Sequence, residues 1–391
     1  MKKLDYLLVA PGLCVVATCY GLARYAYGLF LPIFRQELAI SEAWLAYIAA
    51  FSYASYFLIT LFISFFSSLI KPRTSLLWGG LCAVAGMLLI ASSQSVLWLA
   101  IGVCMAGISP GLAYTPFSSI IVNLVSPSEQ KTVYSIINSG TSLGVMISGP
   151  IALLMGDNWR FAWVFFALFG LASTLWCVKL IPQSLVDSVL ETKEKISFIS
   201  LLKLIDFGVL FLIFLIGVST SIYWTYAVDL VTQNQIDTSG WISDGKTLGQ
   251  LFWMLVGIAG FAGIFAGRVV NYLGSVKALI VFQICLAFAM ACLPATRQLE
   301  WVILSGLLFG AFFVLMAGNL GMWSIELYPQ NTTLGFGLTF LTLSFGQFTG
   351  PFLVGLMDDS IHLKTLFYLA STMSLMVGLM LLVRLNKWRL V

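Results

Sequence analysis

Charge is what this chain has least of. Its 391 residues include 20 Lys or Arg, 16 Asp or Glu and 1 His, so 9% are charged against 60% apolar, and the mean hydropathy is +0.98. A soluble fold of this size could not cover its surface with so few charges, which excludes a water-soluble globular protein. The single histidine, His362, leaves almost nothing from which to build a metal centre or a histidine proton relay. The seven cysteines, Cys14, Cys19, Cys82, Cys104, Cys177, Cys285 and Cys292, fall in apolar stretches without CxxC or ligand spacing, and read as packing residues. No GxxxxGK[ST] loop is present, which argues against a nucleotide-driven machine. A net charge of +4 implies no nucleic-acid partner, and no cofactor is expected.

What the chain has in quantity is uninterrupted apolar length. Ala43 to Ile70 and Thr132 to Gly156 carry no charge, and each is long enough to cross a bilayer core of roughly 30 Å as a helix. Thr74 to Ser128 is uncharged for 55 residues, too long for one crossing, and the polar group Ser92, Ser93, Gln94 and Ser95 divides it into two. The other spans are Tyr6–Phe34, Phe161–Val178, Phe207–Leu230, Thr247–Gly267, Ala278–Thr296, Trp301–Ile325, Thr332–Met357 and Thr365–Val383. Twelve crossings result, the expectation being an all-α membrane protein.

Basic residues orient it. Fourteen Lys and Arg fall on the side of the two termini and five (Arg35, Arg160, Lys246, Arg297 and Lys364) on the other, so both termini are expected in the cytoplasm of a bacterial inner membrane. Lys2 and Lys3 ahead of an apolar run mimic a signal peptide, but the run is too long for one and is read as a retained first helix. The one sizeable hydrophilic stretch, 182–203, divides the chain into helical bundles at 1–181 and 204–391. Neither it nor any loop is long enough to house an active site, so an enzyme is not expected.

The two halves share a pattern. Gly144, Gly149 and Pro150 in the fifth span correspond to Gly346, Gly350 and Pro351 in the eleventh, and the 17 residues from Pro127 to Gly144 equal those from Pro329 to Gly346. Small residues let helix backbones approach in lipid, and proline weakens a helix, so these positions read equally as tight static packing or as flexing points.

Six-plus-six spans, a central loop and paired Gly-Pro signatures resemble the major facilitator superfamily along essentially the whole chain. Gly140, Gly144, Gly149 and Pro150 resemble its fifth-helix antiporter motif; Gly267, Arg268, Asn271, Gly274 and Lys277 its cytoplasmic loop motif; and Glu326, Leu327, Tyr328 and Pro329 the end of its tenth helix. The run from Gly21 to Gly28 is similar to first helices of the YbfB/YjiJ-like branch. There are departures: the first-half loop keeps Lys71 and Arg73 without an aspartate, and Val96 to Val125 lacks the arginine usual in proton-linked drug exporters.

The resemblance implies alternating access around a central cavity. It implies a cytoplasmic lock between Arg268 and Glu326 that holds the outward-open state. It also points to cavity residues Tyr114, Phe117, Asn319 and Trp323, with Tyr53, Tyr56, Asn138, Gln250, Trp253 and Gln347 from flanking helices.

Two charges stand out because ions inside a membrane are costly. Arg24 shares a helical face with Tyr20 and Tyr27, a cationic and aromatic wall suited to an anion, or else a structural arginine held by a neighbouring helix. In the corresponding helix Tyr223, Tyr226 and Asp229 share a face. Asp229 there could carry a coupling proton, sit wet at the outer mouth, or pair with Arg24 as an outer gate.

The function expected is secondary active transport of a small anionic or amphipathic solute, with carboxylate metabolites and carboxylate siderophores as a narrower subset. Export of hydrophobic drugs is the alternative. The partners expected are a small-molecule substrate and the lipid bilayer, with the protein monomeric.

Overall fold

The computed structural model describes residues 3–66, 71–126, 129–181, 206–234, 236–238, 240, 242, 244–295, 297–328, 332–357 and 362–388. Among them, twelve helices are long and apolar enough to cross a membrane. They are α1 Leu8–Glu37, α2 Glu42–Ile63, α3 Pro72–Ala91, α4 Val96–Tyr114, α5 Thr132–Met155, α6 Trp159–Leu180, α7 Phe207–Gln233, α8 Gly245–Leu273, α9 Ser275–Ala295, α10 Leu299–Leu327, α11 Gly335–Met357 and α12 Leu363–Leu385. The expected spans differ from these mainly at their ends. Pro127, Pro329 and the 182–203 linker lie outside the described residues.

Local chemistry sets several boundaries. Ser95 ends the polar break after α3, and its hydroxyl accepts from the Trp98 N–H to cap α4. Asp206 caps α7 by accepting from Gly208 and Val209, and Asp244 caps α8 by accepting from Thr247. Pro72 opens α3, where its missing N–H costs nothing. Within α1, Ala17–Tyr25 is a π-helix, a wider turn with i→i+5 bonding.

The internal repeat is visible as a pair of backbone contacts. A Cβ on Gly21 of α1 would stand 2.5 Å from the Gly144 Cα of α5; a Cβ on Gly217 of α7 would stand 3.0 Å from the Gly346 Cα of α11. The same helix pair thus meets through glycine in α1–α6 and in α7–α12, here called the first and second halves. The motif's second glycine diverges. Gly149 faces α8 across the halves, where a Cβ would stand 2.6 Å from the Gln250 carbonyl, whereas Gly350 faces Ser221 and Val218 of its own half. Pro150 and Pro351 follow these glycines inside α5 and α11.

The Gly21 contact supports a prediction. Gly21→Val would force α1 and α5 apart, an overpacking that costs about 1–3 kcal/mol or more. We expect a clear drop in thermal midpoint in detergent, while a substitution at lipid-exposed Leu154, such as Leu154→Val, should leave it near wild type.

Candidate functional site

Arg24 occupies the end of the π-helical segment and is only 4% exposed. Its guanidinium carbon lies 4.2 Å from the ring centroid of Tyr56, 4.7 Å from Tyr53, 5.5 Å from Tyr25 and 5.8 Å from Tyr20. Four rings therefore cage one cation. Nη2 donates to Oε1 of Gln347 from the second half at 2.9 Å, and Nε is buried without a partner. Cation–π contacts soften the burial of a guanidinium by about 0.5–2 kcal/mol each, but the positive charge is left intact.

The π turn assembles this cage. Five residues separate Tyr20 from Tyr25, about one π turn, and their ring centroids are 6.2 Å apart. Tyr25 also stacks on Trp224 of α7 at 4.1 Å, which ties the cage to the second half. Reasoning with a 3.6-residue period places Tyr25 away from Arg24's face, and for that reason sequence reading missed it. Tyr27 is not one of the four rings around the guanidinium; its hydroxyl donates to the Leu45 carbonyl.

Arg24 borders two cavities. The larger, a narrow space of about 40 Å³, is lined by Tyr20, Tyr25, Tyr56, Tyr114, Asn138 and Thr141 from the first half and by Phe313, Val314, Ala317, Phe340, Leu343 and Gln347 from the second. The smaller, about 10 Å³, lies beyond Arg24 and is lined by Tyr27, Gly28, Ser52, Tyr53, Trp224 and Thr225 among others. In the larger cavity Tyr20 and Tyr56 share a hydroxyl–hydroxyl bond of 3.1 Å, and Tyr114 donates to Asn138 Oδ1 at 3.0 Å. Among the described residues, no Asp or Glu lines either cavity.

Several residues expected in the cavity lie elsewhere. Tyr223 stacks on Phe309 at 3.6 Å and bonds Ser305, inside the second half. Asn319 is also internal to that half, its Nδ2 donating to the Ser275 carbonyl at 2.9 Å. Trp253 donates to Ser148 Oγ at 3.0 Å across the seam between α8 and α5, and Gln250 belongs to the same seam. Trp323 and Phe117 are buried in packing, and Tyr226 is buried with its hydroxyl unpartnered. The reason is common to all: shared helical face and helix number do not say which arc of a helix meets the cavity and which meets its own bundle.

Asp229 does not pair with Arg24. Its two oxygens accept from Arg35 Nη1 and Nη2 at 2.8 and 2.6 Å, and Gln233 adds a bond at 3.1 Å. Arg35 also lies 3.4 Å from Glu42. Since Arg35 ends α1 and Asp229 lies near the end of α7, this pair joins the halves at the end of the bundle away from the start of α1, the distal end. Exposed Lys246 and Asp157 form a second cross-half pair there at 2.9 Å. The hydrogen bond and charge of Lys246 hold Asp157 below the usual carboxylate range. That pair is therefore intact at neutral pH and is lost only as pH falls through the lowered Asp157 value.

At the opposite, proximal end the halves meet through rings, Tyr134 of α5 lying 6.4 Å from Phe336 of α11. Arg268 and Glu326 are both exposed there and form no ion pair with each other, Arg268 sitting 5.7 Å from the Phe265 ring.

Twelve apolar helices in two glycine-matched halves, with a charged cavity where they meet, define a solute carrier of the membrane. The family model of the major facilitator superfamily matches residues 13–348, and the chain belongs to that superfamily. It is 26% identical over 172 residues to the putative uncharacterized transporter YgaY of Escherichia coli K12, a match covering 43% of this chain and 42% of the relative. The match thus spans less than half of that curated relative. Among solved structures, a POT family transporter in complex with 5-aminolevulinic acid is similar with a TM-score of 0.72 at 16% identity, covering 98% of this chain and 96% of that one. The human organic anion transporter MFSD10 gives 0.69 at 15%, covering 96% and 99%. The structural likenesses show the fold, and the family match places the chain among the transporters of the major facilitator superfamily.

Proposed function

We propose that this transporter carries a small organic anion that binds Arg24 between the halves. The observation that carries the reading is a buried guanidinium with one nitrogen unpartnered and, among the described residues, no carboxylate lining either cavity beside it. An arginine placed only for structure would ordinarily be matched by an acid, because an uncompensated charge away from water is costly. Here the compensation is rings and one amide, which leaves the charge for a ligand.

Transport follows by alternating access, with 1–181 and 204–391 rocking as units about the cavity and 182–203 as their tether. With both termini in the cytoplasm of a bacterial inner membrane, the distal ion pairs are the outer gate, and the conformer described is shut on that side. The lock between Arg268 and Glu326 belongs to the opposite, outward-open state. Asp229 is the coupling residue in this reading, because its bidentate pair with Arg35 ties the first helices of the two halves together at the outer gate. The Gly144 and Gly346 contacts hold each half together, while Gly149 and Pro150 lie where the halves slide.

Export of hydrophobic drugs has in its favour the fifth-helix glycines. Against it stands the lack of any acid, among the described residues lining the cavities, to receive a cation. A thermal-shift screen of purified protein against organic acids and lipophilic cations decides between the two. Acids are expected to stabilise the wild type and to lose that effect in Arg24→Ala; stabilisation by cations, unchanged in that variant, would overturn the proposal.

A further inference from the structure

The larger cavity has two unlike walls. The first half supplies Tyr20, Tyr56, Tyr114, Asn138 and Thr141 around Arg24, and the second supplies Phe313, Val314, Ala317, Phe340 and Leu343, with Gln347 its polar side chain. The polar wall is largely self-satisfied: the Tyr20 and Tyr56 hydroxyls bond each other, and Tyr114 bonds Asn138. Among these groups Arg24 keeps an unpartnered donor, Nε. The site therefore demands one acceptor, an anion, and otherwise offers ring edges on one side and aliphatic and aromatic surface on the other.

We infer that the seat selects an amphipathic monoanion: a single carboxylate held by Arg24, on an apolar ring or chain that lies against the second-half wall, with no ammonium group. This rests on the anion reading above and adds the body of the ligand to it. An ammonium would find no carboxylate among the described residues lining the cavity and would face Arg24, so a zwitterion loses its second charge's solvation without a replacement. Gln347 is the pivot of the arrangement. Its Oε1 now holds the place beside Nη2 that a ligand oxygen would take, and an arriving carboxylate displaces it.

The geometry also ties recognition to closure. The head is held by the first half and the body by the second, so a ligand with both parts binds the conformer that brings the two walls together better than the one that parts them. A head without a body contacts Arg24 and gains nothing from closure.

The test uses four compounds that differ by one feature, titrated calorimetrically into the purified protein: 3-phenylpropionate, propionate, 3-phenylpropionamide and phenylalanine. 3-Phenylpropionate is expected to bind most tightly. Propionate, which lacks the ring, the amide, which lacks the charge, and phenylalanine, which adds an ammonium, should each be about 10-fold weaker or more. Leu343→Ala and Phe340→Ser should each shrink the advantage of 3-phenylpropionate over propionate while propionate binds as before. Using two variants guards against one failing to fold.

Equal binding of propionate removes the apolar wall from the inference and leaves the anion reading standing. Equal binding of phenylalanine removes the exclusion of ammonium groups. Equal binding of the amide overturns the anion reading and this inference with it. Binding of none of the four overturns the inference alone, because the acid screen with Arg24→Ala decides the anion reading separately.

Discussion

Gln347→Glu is expected to silence transport as fully as Arg24→Ala does, by the opposite route. The Gln347 side chain already accepts from Arg24 at 2.9 Å, so glutamate there places a tethered carboxylate where the solute's own would bind. A charge-assisted pair at this distance exceeds the neutral bond by about 2–4 kcal/mol in a partly screened interior, and the solute must compete with it. Affinity for acids should fall by about 30- to 1,000-fold.

The two variants separate in stability. Gln347→Glu should raise the thermal midpoint of the ligand-free protein, because the cage gains its missing counter-ion, and acids should no longer raise it further. Gln347→Leu should retain acid binding within about 10-fold, since it removes one neutral bond of about 1 kcal/mol and adds no charge. Combining Arg24→Ala with Gln347→Glu should destabilise, as it buries a carboxylate with no partner. Normal uptake by Gln347→Glu in reconstituted vesicles would remove Arg24 from the transport path.

How far this site could be read in advance follows from what each signal depends on. Length without charge fixes the twelve crossings, because lipid leaves a helix few other ways to satisfy its backbone. The glycine pair at Gly144 and Gly346 was legible for the same reason: small residues at equal intervals report backbone approach, and both prove to be contact points. Arg24 stood out by its cost. Its neighbours were partly hidden, because assigning Tyr25 to the cage requires a π turn that neither composition nor spacing announces.

The second-half residues were harder still. Tyr223 and Tyr226 share a face with Asp229 on α7, yet Tyr223 turns into its own bundle and stacks on Phe309. A buried helix has no polar side from which its cavity-facing arc could be picked. Arg35 was counted among loop charges, and its bond to Asp229 joins residues 194 apart in sequence. A long-range ion pair between two helix ends leaves no local pattern. The sequence did carry one usable hint, an arginine and an aspartate each near the distal end of the first helix of its half.

Asp229→Asn is expected to open the distal end. The Asp229 carboxylate is 2% exposed and accepts from Nη1 and Nη2 of Arg35, so losing its charge leaves Arg35 with Glu42, a side chain that is itself 55% exposed. Breaking one member of a buried pair costs about 3–5 kcal/mol, enough to shift a two-state gate by two to three orders of magnitude. The measurement is the rate at which a membrane-impermeant thiol reagent modifies Thr225→Cys, made in a background with the native cysteines replaced. Thr225 lines the smaller cavity beyond Arg24 and is 2% exposed in the closed conformer.

Modification should accelerate by at least about 10-fold in Asp229→Asn. Arg35→Gln should do the same, leaving Asp229 with Gln233. The double variant should cost less than the sum of the two, which marks a direct pair in a double-mutant cycle. Lys246→Ala supplies the contrast. It removes a cross-half pair whose side chains are 39% and 96% exposed, and exposed pairs contribute little, so the thiol should react near the wild-type rate. An unchanged rate in Asp229→Asn would show that ring and glycine packing, and not this ion pair, keeps the distal end shut.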